Sequence, residues 1–160
     1  KLEPDVISYN AGISACGRGS YWHQALMLLG EMRGAKLELD VISYNAGISA
    51  CGKDGQWVQA LALLGEMCVL NLVPNVISYN AGISSCEKSA EWQHALLLLN
   101  SMKEASLEPD LISYNAGASA CEKGIQWLHA LSLVNEMWAL MLVPDVVSYS
   151  AGISACEKSG

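Results

Sequence analysis

The stretch VISYNAGISAC, residues 6–16, decides the fold, because it recurs unchanged at residues 41–51. Close variants begin at residues 76, 111 and 146, so that five copies follow one another at a spacing of 35 residues without an insertion. A fixed period of this length is typical of a solenoid, in which each unit buries its apolar face only against its neighbours. We therefore expect a single repeat array over residues 1–160, with units one to four at 6–40, 41–75, 76–110 and 111–145 and a partial unit five at 146–160.

Composition excludes two classes of protein. Apolar residues make up 52% of the chain and charged residues 16%, which is too apolar for a disordered chain and sufficient for a continuous core. No apolar run reaches the roughly 18 residues that a membrane helix needs, so we expect no membrane partner. The first residues already follow the repeat, and no targeting segment is recognisable. Since the pattern is cut at both ends, we expect the chain to be a segment of a longer array.

Five of the six cysteines occupy the same slot in successive units. They are Cys16, Cys51, Cys86, Cys121 and Cys156. Equivalent helices pack roughly 8–10 Å apart, beyond the roughly 7 Å between Cα atoms that a disulfide spans, and there is no C-x-x-C motif. We therefore expect small buried thiols in a reducing compartment and no metal site.

Each unit is predicted to be a pair of helices. In unit two, residues 42–53 and residues 57 to about 70 have helical periodicity, and Asp54-Gly55 supplies the turn between them. Tyr44 and Ile48 belong to an apolar face of the first helix, and a stripe that begins at Trp57 forms the apolar face of the second. The fold class is therefore all-α: antiparallel helix pairs stacked into a right-handed superhelix, the hand being that of such repeats generally.

The remaining face of each first helix carries three further rows of repeated residues. An aliphatic row consists of Ile7, Ile42, Ile77, Ile112 and Val147. An amide row consists of Asn10, Asn45, Asn80 and Asn115, with Ser150 in the last unit. A cation row consists of Arg18, Lys53, Lys88, Lys123 and Lys158. Such a surface suits single-stranded RNA, because aliphatic side chains pack on base faces, amides bond to base edges and cations meet phosphates.

The repeat unit resembles the pentatricopeptide repeat of the plain 35-residue type. The resemblance covers nearly the whole chain and depends on the period, V-[IV]-S-Y-N in the first helix, A-L-x-L-[LV]-x-x-M in the second, and P-D or P-N at the end of most units. The slot that holds Phe in the family holds Leu or Val here. The resemblance implies a modular RNA-binding protein without cofactor or catalysis that acts in RNA processing, stability or translation in a mitochondrion or chloroplast.

The resemblance also implies that two side chains read one base in each unit: the amide-row residue and the last residue of the same unit. Carried over, the pairs are Asn10 with Asp40, Asn45 with Asn75, Asn80 with Asp110, and Asn115 with Asp145. In the family, Asn with Asp favours uracil and Asn with Asn favours a pyrimidine, which implies the sequence 5′-U-Y-U-U-3′. Ser150 has no partner residue, so its base is unassigned. The aliphatic row resembles the residues that sandwich bases, and the cation row resembles those that contact phosphates.

Two features favour other functions. The formal net charge of -7 has the wrong sign for a strong nucleic-acid binder, and we expect modest RNA affinity. The main alternative is a protein-binding helical scaffold, because the second helices of units two and four end in the apolar runs 68–70 and 138–141. We expect these runs to be buried against the following unit. If they were instead exposed on the convex side, they would promote self-association, and the apolar ends of the array would do the same. We find neither a phosphate-binding loop nor a nucleophile motif in the sequence, and we therefore do not expect an enzyme.

Overall fold

The computed structural model describes residues 4–160, and within that range it contains nine α-helices and no strand. The first helices of the units are α1 (Val6–Arg18), α3 (Val41–Lys53), α5 (Val76–Lys88), α7 (Leu111–Lys123) and α9 (Val146–Ser159). The second helices are α2 (Trp22–Gly34), α4 (Trp57–Val69), α6 (Trp92–Glu104) and α8 (Trp127–Ala139). The predicted all-α repeat architecture is confirmed, and the predicted bounds of α3 and α4 differ from these by one residue.

The helices form two layers. Each first helix packs against its own second helix and against the first helices of the neighbouring units, as α3 does with α4, α1 and α5. Second helices pack against the following first helix, whereas consecutive second helices lie further apart and, in the part of the chain described, meet only through side chains, as Arg33 of α2 does with Glu66 of α4 at 2.6 Å. Because the first helices lie closer to one another than the second helices do, the first-helix layer is the inner side of the array. None of the helices described is long and apolar enough to cross a membrane.

Every first helix begins at a side-chain cap. The last residue before the helix accepts a hydrogen bond from the backbone N–H three residues on, at 2.8–3.1 Å. The capping residues are Asp5, Asp40, Asn75, Asp110 and Asp145. In the last four, the residue three positions on is a buried serine whose hydroxyl accepts the N–H of the capping residue in return. A cap of this kind contributes about 1 kcal/mol to helix stability.

The turn between the two helices of a unit contains one residue with left-handed backbone geometry. Gly55 occupies this position in unit two with φ 66°, and Ile125 occupies it in unit four with φ 57°. Glycine adopts this geometry without steric cost, whereas a β-branched side chain crowds its own backbone. The turn is therefore relaxed in unit two and strained in unit four.

The core follows the predicted stripes. Tyr44, Ile48 and Cys51 of α3 are fully buried, as are Ala60 and Met67 of α4. Equivalent positions are buried in the neighbouring units, which makes one continuous core along the array. Helix periodicity alone therefore identified the packed faces correctly.

The predicted burial of the cysteines holds in the middle of the array, is only partial for Cys16 at its start, and fails for Cys156 at its end. Cys51, Cys86 and Cys121 are buried and unpaired, and burial raises the pKa of Cys51 to about 11 and that of Cys121 to about 12, so these thiols stay protonated. Cys156 is exposed, since within the described residues α9 has no second helix of its own unit to cover it. Cys68, which has no equivalent in other units, is also exposed.

The expected burial of the apolar ends of α4 and α8 is wrong. Val69 is 80% exposed and Met141 is 90% exposed, and Leu70 and Trp138 are more than half exposed. These residues lie beyond Met67 and Met137, the last buried positions of the two stripes. The following unit packs on the second helix only as far as these two methionines. The apolar residues beyond them therefore project into solvent.

Candidate nucleic-acid interface

The inner face of the first-helix layer presents the aliphatic row to solvent. Each member of the row is at least half exposed, and Ile77 and Ile112 are 61% and 62% exposed. Shallow grooves separate neighbouring units. The groove between units three and two is lined by Ile77, Asn80, Lys53 and Lys88, together with Ile112 from unit four. The fold therefore places the aliphatic, amide and cation rows beside one another.

The aliphatic side chains of two consecutive units flank one amide. Ile77 and Ile112 line the same groove as Asn80, and Ile42 and Ile77 line the same groove as Asn45. A planar ring entering such a groove would meet apolar atoms on its faces and a hydrogen-bonding group at its edge.

The predicted residue pairs meet in units two to four. The Nδ2 atom of Asn80 donates to Asp110 Oδ1 at 3.1 Å, and that of Asn115 donates to Asp145 Oδ1 at 3.0 Å. In unit two the acceptor is the amide oxygen of Asn75, and the bond is longer, at 3.3 Å. The pairing joins residues 30 positions apart, because the last residue of each unit lies at the start of the next first helix.

Unit one departs from this arrangement. No hydrogen bond of ordinary geometry joins Asn10 to Asp40, and the buried Oδ1 atom of Asn10 has no hydrogen-bond partner among the residues described. The pKa of Asp40 is nevertheless lowered: burial opposes the shift, hydrogen bonds from Ser43 produce it, and the proximity of the Asn10 amide adds to it. The first predicted pair is therefore close together but not joined in the way of the other three.

The carboxylates of the pairs are held in their ionised form. Burial acts to raise the pKa of Asp110. The Ser113 backbone N–H and the Asn80 amide, which donate to the carboxylate, and the Ser113 hydroxyl, which lies 2.9 Å from it, outweigh that effect, so that the pKa lies below its ordinary value. The Ser148 backbone N–H and the Asn115 amide lower the pKa of Asp145 in the same way. An ionised carboxylate only accepts hydrogen bonds, so the NH₂ end of each paired Asn must face it.

The cation row is not uniform. The ammonium nitrogen of Lys123 lies 2.7 Å from a carboxylate oxygen of Glu87, and that of Lys158 lies 2.7 Å from one of Glu122. Lys88 instead donates to the backbone carbonyl oxygen of Lys53 at 2.6 Å. Arg18 and Lys53 form no ion pair within residues 4–160. The prediction treated the five cations as equivalent, whereas two of them are paired with acids of the preceding unit.

Sequence reasoning missed one set of residues at this surface. Ser78, Ser113 and Ser148 are buried beneath the amide row, and each donates its hydroxyl hydrogen to the Oδ1 atom of the Asn in the preceding unit at 2.5 Å. The signal was present, because serine recurs two residues after the first valine or leucine of every unit. A small side chain at this position also suits close packing between neighbouring first helices, and only the fold shows that its hydroxyl reaches the amide.

Family patterns match most of the described chain. The pattern of the PPR repeat family matches residues 39–86 and 74–123, and the pattern of the PPR repeat matches residues 7–37. No curated protein matches the chain significantly.

Solved structures share this fold. The pentatricopeptide repeat protein PPR10 from maize is 28% identical with a TM-score of 0.79, over 99% of this chain and 23% of that one. PPR10 in complex with an 18-nt psaJ RNA element is 24% identical with a TM-score of 0.84, over 98% and 23%. The PPR domain of Arabidopsis thaliana protein-only RNase P 1, in complex with tRNA, is 18% identical with a TM-score of 0.80, over 93% and 79%.

The chain thus spans less than a quarter of the length of maize PPR10. The family patterns cover more than half of its residues, and the repeat period, the helix pairs and the fold agree with them. The chain belongs to the PPR repeat family.

Proposed function

We propose that this chain binds single-stranded RNA along the inner face of its first helices, with about one base for each unit. The observation that carries the proposal is the Asn80–Asp110 pair, joined at 3.1 Å beside the exposed side chains of Ile77 and Ile112. Two structures of similar fold, maize PPR10 and the PPR domain of protein-only RNase P 1, are complexes with RNA, which supports the proposal.

Each row has a separate role in this proposal. A base inserts between two aliphatic side chains, which bury its faces, and the Asn amide bonds to its edge. Asn80 and Asn115, each paired with an aspartate, favour uracil in the family's code, as does Asn10. Asn45 is paired with the uncharged Asn75, and this pair favours either pyrimidine. The preferred RNA is then 5′-U-Y-U-U-3′, and no base is assigned to Ser150.

The cations provide phosphate contacts of unequal strength. Lys123 and Lys158 must give up a carboxylate partner to meet a phosphate, whereas Arg18 and Lys53 have none to give up within the described residues. Each phosphate contact to a single strand contributes about -0.7 to the log–log salt slope. With a net charge of -7 as well, modest affinity is expected.

The proposal is tested by fluorescence anisotropy at low salt with short oligonucleotides of uridine, cytidine, adenosine or guanosine alone. We expect tighter binding to the pyrimidine strands, and loss of that preference in Asn80→Ala. Ser84→Ala, a change in the same groove outside the reading pairs, is the matched control. Equal affinity for all four strands would contradict base reading, and absence of binding to any strand would contradict RNA binding itself.

A second candidate function, protein binding, is favoured by the exposed apolar ends of α4 and α8. Solenoids commonly use extended surfaces for protein partners, and exposed apolar patches mark such sites. Self-association is the simplest case, and sedimentation velocity of the wild type and of Val69→Lys with Met141→Lys distinguishes it. A faster-sedimenting wild type that becomes monomeric in the double variant would support this function.

A further inference from the structure

A buried serine holds each reading amide in units two to four. Ser113 of unit four donates to the Oδ1 atom of Asn80 in unit three at 2.5 Å, and Ser78 and Ser148 do the same for Asn45 and Asn115. All three serines have no exposed surface, so RNA cannot touch them. Any effect they have on binding must pass through the amides.

The single hydroxyl proton goes to the amide. Ser113 Oγ accepts the backbone N–H of Asp110 at 3.1 Å and lies 2.9 Å from Asp110 Oδ1, but its shorter contact, at 2.5 Å, is to Asn80 Oδ1. Asp110 Oδ1 in turn accepts the Nδ2 hydrogen of Asn80 at 3.1 Å. The amide is therefore clamped at both ends, with its oxygen on a donor and its nitrogen on an acceptor.

The clamp fixes which way the amide points. A flipped Asn80 would direct its oxygen at the acceptor oxygen of Asp110, and Ser113 would have to turn its proton away from the amide to accept the NH₂ group. In the clamped orientation one Nδ2 hydrogen and one Oδ1 lone pair remain for a base, in fixed positions. A group held in place before binding distinguishes ligands better than one that turns to suit each of them.

Unit one lacks the clamp although it has the same Asn and Asp. Ser43, the equivalent serine, donates to Asp40 Oδ1 at 2.8 Å. The Oδ1 atom of Asn10 is left without a partner among the described residues. The Asn10 amide is therefore oriented only by the Asp40 carboxylate near its nitrogen, and its oxygen lacks the serine donor that holds the other three amides.

We propose that Ser78, Ser113 and Ser148 are positioning residues that set base selectivity in units two to four, and that unit one selects its base weakly. The proposal rests on the RNA-binding function proposed above. Residue pairing alone gives units one and three the same preference, since both combine Asn with Asp. The serine contacts distinguish the two units, because only the Asn of unit three accepts a serine hydroxyl.

Ser113→Ala and Ser43→Ala form a matched pair, because each removes the serine hydroxyl of a capping box but only the first removes a contact to a reading amide. The probes are short RNAs with a UUUU core between adenosines, in which adenosine replaces the first or the third core base. We expect the wild type to prefer uridine more strongly at the third base than at the first. Ser113→Ala should lower the third-base preference about fivefold, as for one lost hydrogen bond.

Ser43→Ala should leave both base preferences unchanged while its thermal stability falls as much as that of Ser113→Ala. Ser113→Thr, which retains the hydroxyl, should restore the third-base preference. An unaltered third-base preference in Ser113→Ala, or equal wild-type selectivity at the first and third bases, would overturn the inference while RNA binding stands. A wild type that binds none of the RNAs would instead overturn the proposed function.

Discussion

Lys123 reaches back one unit to Glu87, and its ammonium nitrogen lies 2.7 Å from the carboxylate. Lys158 repeats this contact with Glu122, one unit further along. The residue in the equivalent position one unit before Lys53 is Gly17, and the one before Lys88 is Gly52. The acidic partner is therefore present for the last two cations of the row and absent for the earlier ones, which divides the array into two electrostatically different halves.

Lys53→Ala should weaken RNA binding more than Lys158→Ala, because only Lys158 is already paired with a carboxylate. We expect a two- to fivefold loss for Lys53→Ala, in line with about 0.5–1 kcal/mol for an exposed ionic contact, and a smaller loss for Lys158→Ala. Combined Glu87→Gln and Glu122→Gln should strengthen binding and steepen its salt dependence. Anisotropy titrations across a salt series measure both, with Lys36→Ala as a control for net charge. Equal losses for the two lysines would contradict the division of the row.

Asp110 has two roles that substitution can separate. It caps α7 by accepting the Ser113 N–H at 2.9 Å, and it accepts the Asn80 amide. Asp110→Asn should preserve the cap, since Asn and Asp are comparable caps, and should reduce the preference for uridine over cytidine at the third base. Asp110→Ala should also lower the free energy of unfolding by about 1 kcal/mol. Urea denaturation and RNA titration of both variants test this, and comparable destabilisation by the two would exclude the capping role.

Acid should lower the free energy of unfolding, partly because it protonates the aspartates that cap the first helices. Burial acts to raise the pKa of Asp110, but its hydrogen bonds outweigh that effect and hold the pKa below its ordinary value. A carboxyl with a lowered folded-state pKa stabilises the protein fully above its unfolded-state pKa, and this stabilisation is lost as the pH falls through the folded-state value. The free energy of unfolding should therefore fall below about pH 4, and less steeply in Asp110→Asn. Urea denaturation from neutral to acidic pH measures the slope, with Glu108→Gln, an exposed acid nearby, as the control.

Ile125→Gly should stabilise the array. Ile125 has φ 57° and is 53% exposed, so glycine would relieve backbone crowding and forfeit little burial. We expect a gain of about 0.5–1 kcal/mol, the steric cost of the left-handed conformation less the greater unfolded-state entropy of glycine. The converse change, Gly55→Ala in unit two, should destabilise. Thermal or urea denaturation measures both, and a less stable Ile125→Gly would show that the isoleucine side chain contributes more than the strain costs.

The sequence was sufficient to predict the helix pairs and the core, because both follow from periodicity within one unit. Tyr44 and Ile48 are spaced for one helical face, and Asp54-Gly55 indicates the turn. The pairing of Asn80 with Asp110 came from the family resemblance, since nothing local links residues 30 positions apart.

Features that depend on contacts between units were harder to predict. The ion pair of Lys123 with Glu87 joins residues 36 positions apart, and whether it forms depends on how closely α5 and α7 approach. The exposure of Val69 and Met141 depends on where the following unit stops packing on the second helix. The serine contact to Asn80 was hidden because Ser113 also satisfies the packing requirement for a small residue.

The shared use of Asp110 and its equivalents restricts how such an array can change its target. A residue that begins a helix must accept a backbone hydrogen bond through a short side chain, and Asp, Asn, Ser and Thr do so best. Under the proposed base-reading role, exchange among these four would therefore alter the base that a unit prefers while the scaffold keeps its stability. The choice of residue at this position is limited to those that can initiate a helix. Substitutions within that set would change one unit without destabilising the neighbouring units.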